Sequence, residues 1–247
     1  MPLPVDFPLL QSGSALEKKL TLEVRERRIL TTSVPELDRV LGGGLVRGAL
    51  VEMVGPPSSG RFACVLAVLA AVTSVGMPAS LIDLGDHLDP QQAAMAGVDL
   101  ARLLWLRPRS AKDALASAET AIAAAFPLVV LDLGLSPVRG ALVTSGGAWL
   151  RLKRASRAHR AALLVSSRCH VCGFAAEVVL AMRRQRSSWI QTGPGLLVGL
   201  HVGMKAELAR AQGRSASEKL ALAVEPGAMA HGDESEAATP RRARHSA

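Results

Sequence analysis

Gly55 and Gly60 enclose Pro56-Pro57-Ser58-Ser59 at the G-x-x-x-x-G spacing of a phosphate-cradling P-loop. In an active loop the next two residues are Lys, whose ammonium neutralises the β- and γ-phosphates, and Ser or Thr, whose hydroxyl ligates Mg²⁺. Here they are Arg61 and Phe62, followed by Ala63. A guanidinium keeps the charge but is bulkier and forked. Neither Phe62 nor Ala63 offers an oxygen to a metal. Losing the metal ligand and distorting the clamp should cost several kcal/mol of transition-state stabilisation. The loop therefore reads as a nucleotide site stripped of its chemistry, with no catalytic residue, no cofactor and no metal expected.

A second constellation is electrostatic. The 247-residue chain has a formal net charge of +8. Between Asp132 and Glu207 the only acid is Glu177, against Arg139, Arg151, Lys153, Arg154, Arg157, Arg160, Arg168, Arg183, Arg184, Arg186 and Lys205. Arg151, Arg154 and Arg157 recur at i, i+3, which makes them neighbours on a helix. Lys153 and Arg160 add to the field, and Arg183, Arg184 and Arg186 are expected to extend it from the next hairpin. Such a surface grips phosphates without reading bases, so DNA is the expected partner, bound in a salt-sensitive way. A solvated basic surface with no partner is the bland alternative. Few aromatics accompany these charges, with Trp149 and Trp189 as the stacking candidates, too few to indicate dedicated base stacking.

Cys169 and Cys172 flank His170 in a C-x-x-C, but a structural zinc site needs four ligands. The one other cysteine, Cys64, is expected to point into the core. An odd cysteine count argues against a disulfide framework and for a reducing, cytoplasmic setting. No apolar run reaches the roughly 18 residues of a membrane span, and 1–10 lacks the basic and apolar regions of a signal peptide.

These residues need elements to hold them. Apolar runs at 49–54, 79–84, 103–106, 128–132 and 161–165 read as buried strands. Helical patterns at 61–75, 91–96, 111–125 and 141–159 alternate with them. Repeated βα units imply a mostly parallel sheet covered by helices on both faces. Two further β-like runs, 177–182 and 196–202, are separated by basic and turn residues and suggest an antiparallel hairpin at the sheet edge. Ahead of the domain, 15–30 has apolar residues at Leu16, Leu20 and Val24, a helical spacing that fits a docking arm or a helix packed on its own domain. Three regions follow: an arm at 1–28, a core at 29–211, and a tail at 212–247 that reads as disordered with a basic end.

The order Thr32-Ser33, Leu37-Asp38, Leu41-Gly42-Gly43-Gly44-Leu45, Gly48, strand and P-loop resembles the RecA-like superfamily from about 29 to 202. The resemblance implies the RecA-like three-layer α/β fold and puts Asp132 at the second-strand metal carboxylate. It also implies that a Glu should activate water in a segment like Ile-Asp-Ala-Glu-His-Ala-Leu-Asp-Pro. The matching run is Ile82-Asp83-Leu84-Gly85-Asp86-His87-Leu88-Asp89-Pro90, where the Glu position falls on Gly85 and Asp86 stands one residue on. RecA's switch Gln is replaced by Ser166-Ser167-Arg168, and its second DNA loop shrinks to 169–173. A RecA-like fold without RecA chemistry is similar to the ImuA family of mutagenic translesion-synthesis accessory proteins. That resemblance implies partners: an ImuB-type inactive Y-family polymerase, with RecA and an error-prone C-family polymerase beside it, and a nucleoid-associated location. An ATP-dependent recombinase or regulator, and a SulA-type division inhibitor acting on FtsZ, are the rival expectations.

Overall fold

A computed structural model of the chain describes residues 29–134, 146–190, 196–208 and 215–223. Their elements are β1 (Ile29–Leu30), α1 (Pro35–Leu41), β2 (Leu45–Val46), β3 (Leu50–Val54), α2 (Arg61–Ser74), β4 (Ala79–Asp83), α3 (Pro90–Met95), β5 (Leu103–Leu106), α4 (Ala111–Ala123), β6 (Leu128–Asp132), α5 (Gly146–His159), β7 (Ala162–Ser167), β8 (Val178–Ile190), β9 (Leu196–Leu208) and β10 (Ser215–Ala223).

Apolar runs buried on both faces need helices above and below. Every residue of β3, β4, β6 and β7 is buried. The main sheet runs β10-β9-β8-β3-β7-β6-β4-β5 among the described residues, and β1 and β2 form a small antiparallel pair apart from it. From β8 to β5 the neighbours are parallel, whereas β8, β9 and β10 pair antiparallel. One core joins alternate strand residues such as Met53, Leu81, Val130 and Leu164 to Leu37, Val65, Leu69 and Ala93 of α1, α2 and α3. The other joins Leu50, Ile82, Leu131 and Val165 to Ile122 of α4 and Trp149 and Leu152 of α5. The result is the expected three-layer α/β fold.

Local chemistry sets the helix starts. Asp89 caps α3 by accepting from the Gln91 and Gln92 N–H groups, and Ser110 caps α4 by accepting from Asp113 N–H.

The edge differs from expectation in two ways. Arg183, Arg184 and Arg186 are not in a hairpin turn but inside β8, opposite Gly203, Val202 and His201 of β9, with a bulge between Arg184 and Arg186. Polar residues are tolerated there because the strand runs on beyond the end of β3, whose last residue pairs with Ala181. The sheet also continues into the stretch expected to be a tail: 215–223 pairs with β9 from Ser215↔Glu207 to Ala223↔Gly199. The expected helix at 15–30 ends differently, since Ile29–Leu30 is strand. Its remainder, like 224–247, lies outside the described residues. No helix among the described residues is long and apolar enough to cross a membrane.

Candidate functional site

The P-loop sits where β3 ends and α2 begins. Ser58 and Gly60 take positive φ (57° and 83°), which turns the chain tightly into the helix. Gly55 is required by space, because a Cβ there would stand 2.6 Å from both Met182 O and Ser59 Oγ. The loop geometry survives, and its chemistry is turned inward. Arg61, 5% exposed, folds its guanidinium back under the loop. Its Nε donates to Gly55 O (3.0 Å), Nη1 to Ser166 Oγ (2.5 Å) and Nη2 to Gly134 O (3.4 Å). Nη1 is also 3.6 Å from Asp132 Oδ1. Burial lowers the Arg61 pKa, and the Asp132 carboxylate opposes that shift. The fork is thus held by oxygens of the protein itself.

Asp132 ends β6 and is 1% exposed. Its second oxygen, Oδ2, lies 3.1 Å from His87 Nδ1. The His87 ring, half-buried, takes the room that a side chain at Gly85 would need: a Cβ on Gly85 would run into the ring and come within 2.9 Å of Gly134 Cα. Phe62 meets the same ring edge-on, with centroids 6.0 Å apart. Asp86 points elsewhere: its φ is +52°, and its carboxylate lies 3.6 Å from Arg107 on the surface. It does not stand in for the missing Glu.

A P-loop fold implies a nucleotide with Mg²⁺, and the residues here do not fit that pair. The Arg61 fork is committed to four protein oxygens, and Phe62 brings a ring where the metal's hydroxyl ligand belongs.

Sequence reasoning missed several partners. Asp83, at the end of β4 and 1% exposed, accepts from His87 N–H (3.0 Å), Leu88 N–H (2.9 Å) and Trp105 Nε1 (3.3 Å). Asp83, His87 and Asp132 each present a ligand atom, all within 4.8 Å of one another. The i, i+4 spacing of Asp83 and His87 was visible, but nothing in the sequence tied it to Asp132. Glu52 was missed as well. It lies fully buried in β3, and its Oε1 accepts from Val171 N–H (2.6 Å) and Cys172 N–H (3.1 Å). The shortened segment after β7 is pinned there to the P-loop strand.

The cysteines do not converge. Cys64 lies in one core and Cys172 in the other, across the sheet, while Cys169 is exposed. Burial pushes the Cys64 thiol up to about 12. Burial, then the Glu52 carboxylate, pushes Cys172 up further.

The basic residues fall into two groups. Arg151, Arg154, Arg157 and Arg160 are exposed along and just past α5, with no acidic partner at ion-pair distance among the described residues. Lys153 is different, lying 3.6 Å from Glu177. Arg183, Arg184 and Arg186 are exposed on β8. Val179 belongs to the core under α5, so Arg183, two pleats further, shares that face of the sheet, and Arg184 takes the other. Arg184 is therefore set apart from the face that carries α5 and Arg183.

Comparison with known proteins agrees with the fold. The chain is 40% identical over 97 residues to Protein RecA of Picosynechococcus sp., covering 39% of this chain and 28% of that protein. It is 38% identical over 104 residues to Protein RecA of Crocosphaera subtropica, covering 42% and 30%. It is 34% identical over 135 residues to Protein RecA of Clostridium acetobutylicum, covering 52% and 39%. The chain thus spans well under half the length of these relatives. The RecA N-terminal domain model matches residues 14–142, more than half of the chain. With the three-layer sheet, the P-loop turn after β3 and Asp132 at the end of β6, the chain belongs to the RecA N-terminal domain family.

Proposed function

We propose that this chain is a non-catalytic RecA-like protein of the ImuA type. In this reading it is an accessory of damage-induced mutagenic translesion synthesis that binds DNA and contacts an ImuB-type inactive polymerase homologue. The observation that carries the non-catalytic part is the Arg61 fork. Its charge is spent on Gly55 O, Ser166 Oγ, Gly134 O and Asp132, so it cannot also clamp a triphosphate. The exposed arginines of α5, with no acidic partner at ion-pair distance among the described residues, support the DNA part. Their i, i+3 spacing places them within one turn of each other, close enough to follow a phosphate backbone.

Charge reversal tests the DNA surface. The triple variant Arg151→Glu, Arg154→Glu, Arg157→Glu should lose DNA affinity at low salt with an unchanged unfolding midpoint. Removing three phosphate contacts should flatten the log–log salt dependence by about 2.7 on duplex DNA. Equal affinity of variant and wild type in a gel-shift titration rejects this surface. The enzyme question is read separately, as phosphate release from ATP with and without DNA. No turnover above a protein-free blank is expected. Turnover that Asp132→Ala abolishes would instead favour the recombinase reading, to which the RecA relatives lend support.

A further inference from the structure

Asp83, His87 and Asp132 form a donor set that the P-loop reading leaves unused. We propose that they bind one borderline divalent transition-metal ion, of the Zn²⁺ or Co²⁺ class, between the ends of β4 and β6, through three protein ligands and a fourth position left to water. This inference does not rest on the functional reading above.

The donor set is mixed: two carboxylates and an imidazole, a combination suited to Zn²⁺ or Co²⁺ and less so to all-oxygen Mg²⁺. It shares Asp132 with the P-loop cation position but not that position's hydroxyl ligand, which is absent at Phe62. Two donors on a tetrahedral Zn²⁺, each about 2.0–2.2 Å from the ion, stand roughly 3.3–3.6 Å apart. His87 Nδ1 and Asp132 Oδ2 are hydrogen-bonded at 3.1 Å, a little short of such an edge. Asp83 contributes its ligand atom within 4.8 Å of both, so a small movement or one bridging water closes the third position.

The space is built for the imidazole. Gly85 and Gly134 lack the Cβ atoms that would fill the cradle: one on Gly85 would run into the His87 ring, and one on Gly134 would lie 3.4 Å from its Cε1. Outer partners fix the carboxylates, as they do in metal sites. Trp105 Nε1 and two backbone N–H groups orient Asp83. Arg61 holds the far oxygen of Asp132, Oδ1, and leaves Oδ2 to face His87. Charge points the same way. Asp83 is 1% exposed, and its three donors are all neutral. Arg61 lies against Asp132 alone, so Asp83 has no cationic partner at ion-pair distance among the described residues, an imbalance that a dication can offset. His87 is 29% exposed along its side chain, which leaves an entry path.

The test uses the full chain, stripped of metal with a chelator and free of nucleotide. Zn²⁺ is titrated by calorimetry, and Co²⁺ is followed by its visible d–d absorption. Wild type should bind one equivalent of either ion. His87→Gln keeps a hydrogen bond to Asp132 but loses the imidazole, and its metal-free melting temperature checks the fold. It should bind about 100-fold more weakly or worse, beyond the roughly 10–100-fold expected for an outer partner such as Trp105→Phe. The double variant Cys169→Ser, His170→Ala should bind like wild type. No binding by wild type, unchanged binding by His87→Gln, or loss of binding in the Cys169/His170 variant would each overturn the proposal.

Discussion

Arg61→Met is the sharpest test of the inward-turned P-loop. The substitution keeps most of the side-chain volume and deletes the fork. It leaves Asp132, 1% exposed, with His87 as its remaining side-chain partner among the described residues. It also removes the donors to Gly55 O, Ser166 Oγ and Gly134 O. Breaking a buried ion pair from one side costs about 3–5 kcal/mol, because the other charge is left uncompensated. Two features lower the figure. The pair is long, at 3.6 Å, and burial of the guanidinium is itself unfavourable, as its lowered pKa indicates. The expected loss is therefore about 3 kcal/mol, or roughly 6–12 °C in melting temperature for a chain of this size. Urea unfolding supplies the free energy, with an unchanged m-value as the check that the folded state persists. Adding Asp132→Asn removes the stranded charge and should recover about 1–2 kcal/mol. The reasoning fails if Arg61→Met lies within about 1 kcal/mol of wild type, or if the double variant is no better than the single.

Three further outcomes follow from the same contacts. Gly85→Ala should destabilise by about 1–3 kcal/mol through collision with the His87 ring, and combination with His87→Ala should remove most of that cost in urea unfolding. Glu52→Ala should cost about 3 kcal/mol by orphaning the Val171 and Cys172 N–H groups, whereas Glu52→Gln, which keeps an acceptor, should cost less than half of that. Cys64 holds its proton in the folded state up to about 12 and releases it near its ordinary 9.0 once unfolded. The stability it contributes is therefore intact below about pH 9 and falls by roughly 1.4 kcal/mol per pH unit from there toward 12, and Cys172 adds a loss of the same sign. Cys64→Ala should reduce that slope in urea unfolding at stepped pH, and an identical slope would disprove the assignment.

Much of the fold was legible. The five central strands were found within about two residues because runs such as Leu128-Val129-Val130-Leu131 lie between Pro and Gly punctuation and are buried on both faces. The positions that depart from the P-loop and RecA patterns, Arg61, Phe62 and Gly85, were legible too, since spacing alone locates them. What those residues do instead was not. The Arg61 fork needs a serine 105 positions away, and His87 needs an aspartate 45 positions away; no local pattern encodes either contact. β10 was missed because Ser215-Ala216-Ser217-Glu218-Lys219 carries little β preference. Only the alternation of Leu220 and Leu222 hinted at it, and pairing along β9 supplied the rest. Arg183-Arg184-Gln185-Arg186 read as a turn because charge was taken for a break, where β9 supplies a hydrogen-bonding partner.

The Gly85–His87–Gly134 contact also has an evolutionary consequence. A descendant of this sequence that gained a glutamate at position 85 would first drive its side chain into the His87 ring, and one that gained a lysine at position 61 would first abandon the Ser166 and Gly134 oxygens. Each step is harmful until others have been taken. Such changes are thus restrained by epistasis rather than by distance in sequence, and the glycines that make room for the imidazole act as the pawl of a ratchet.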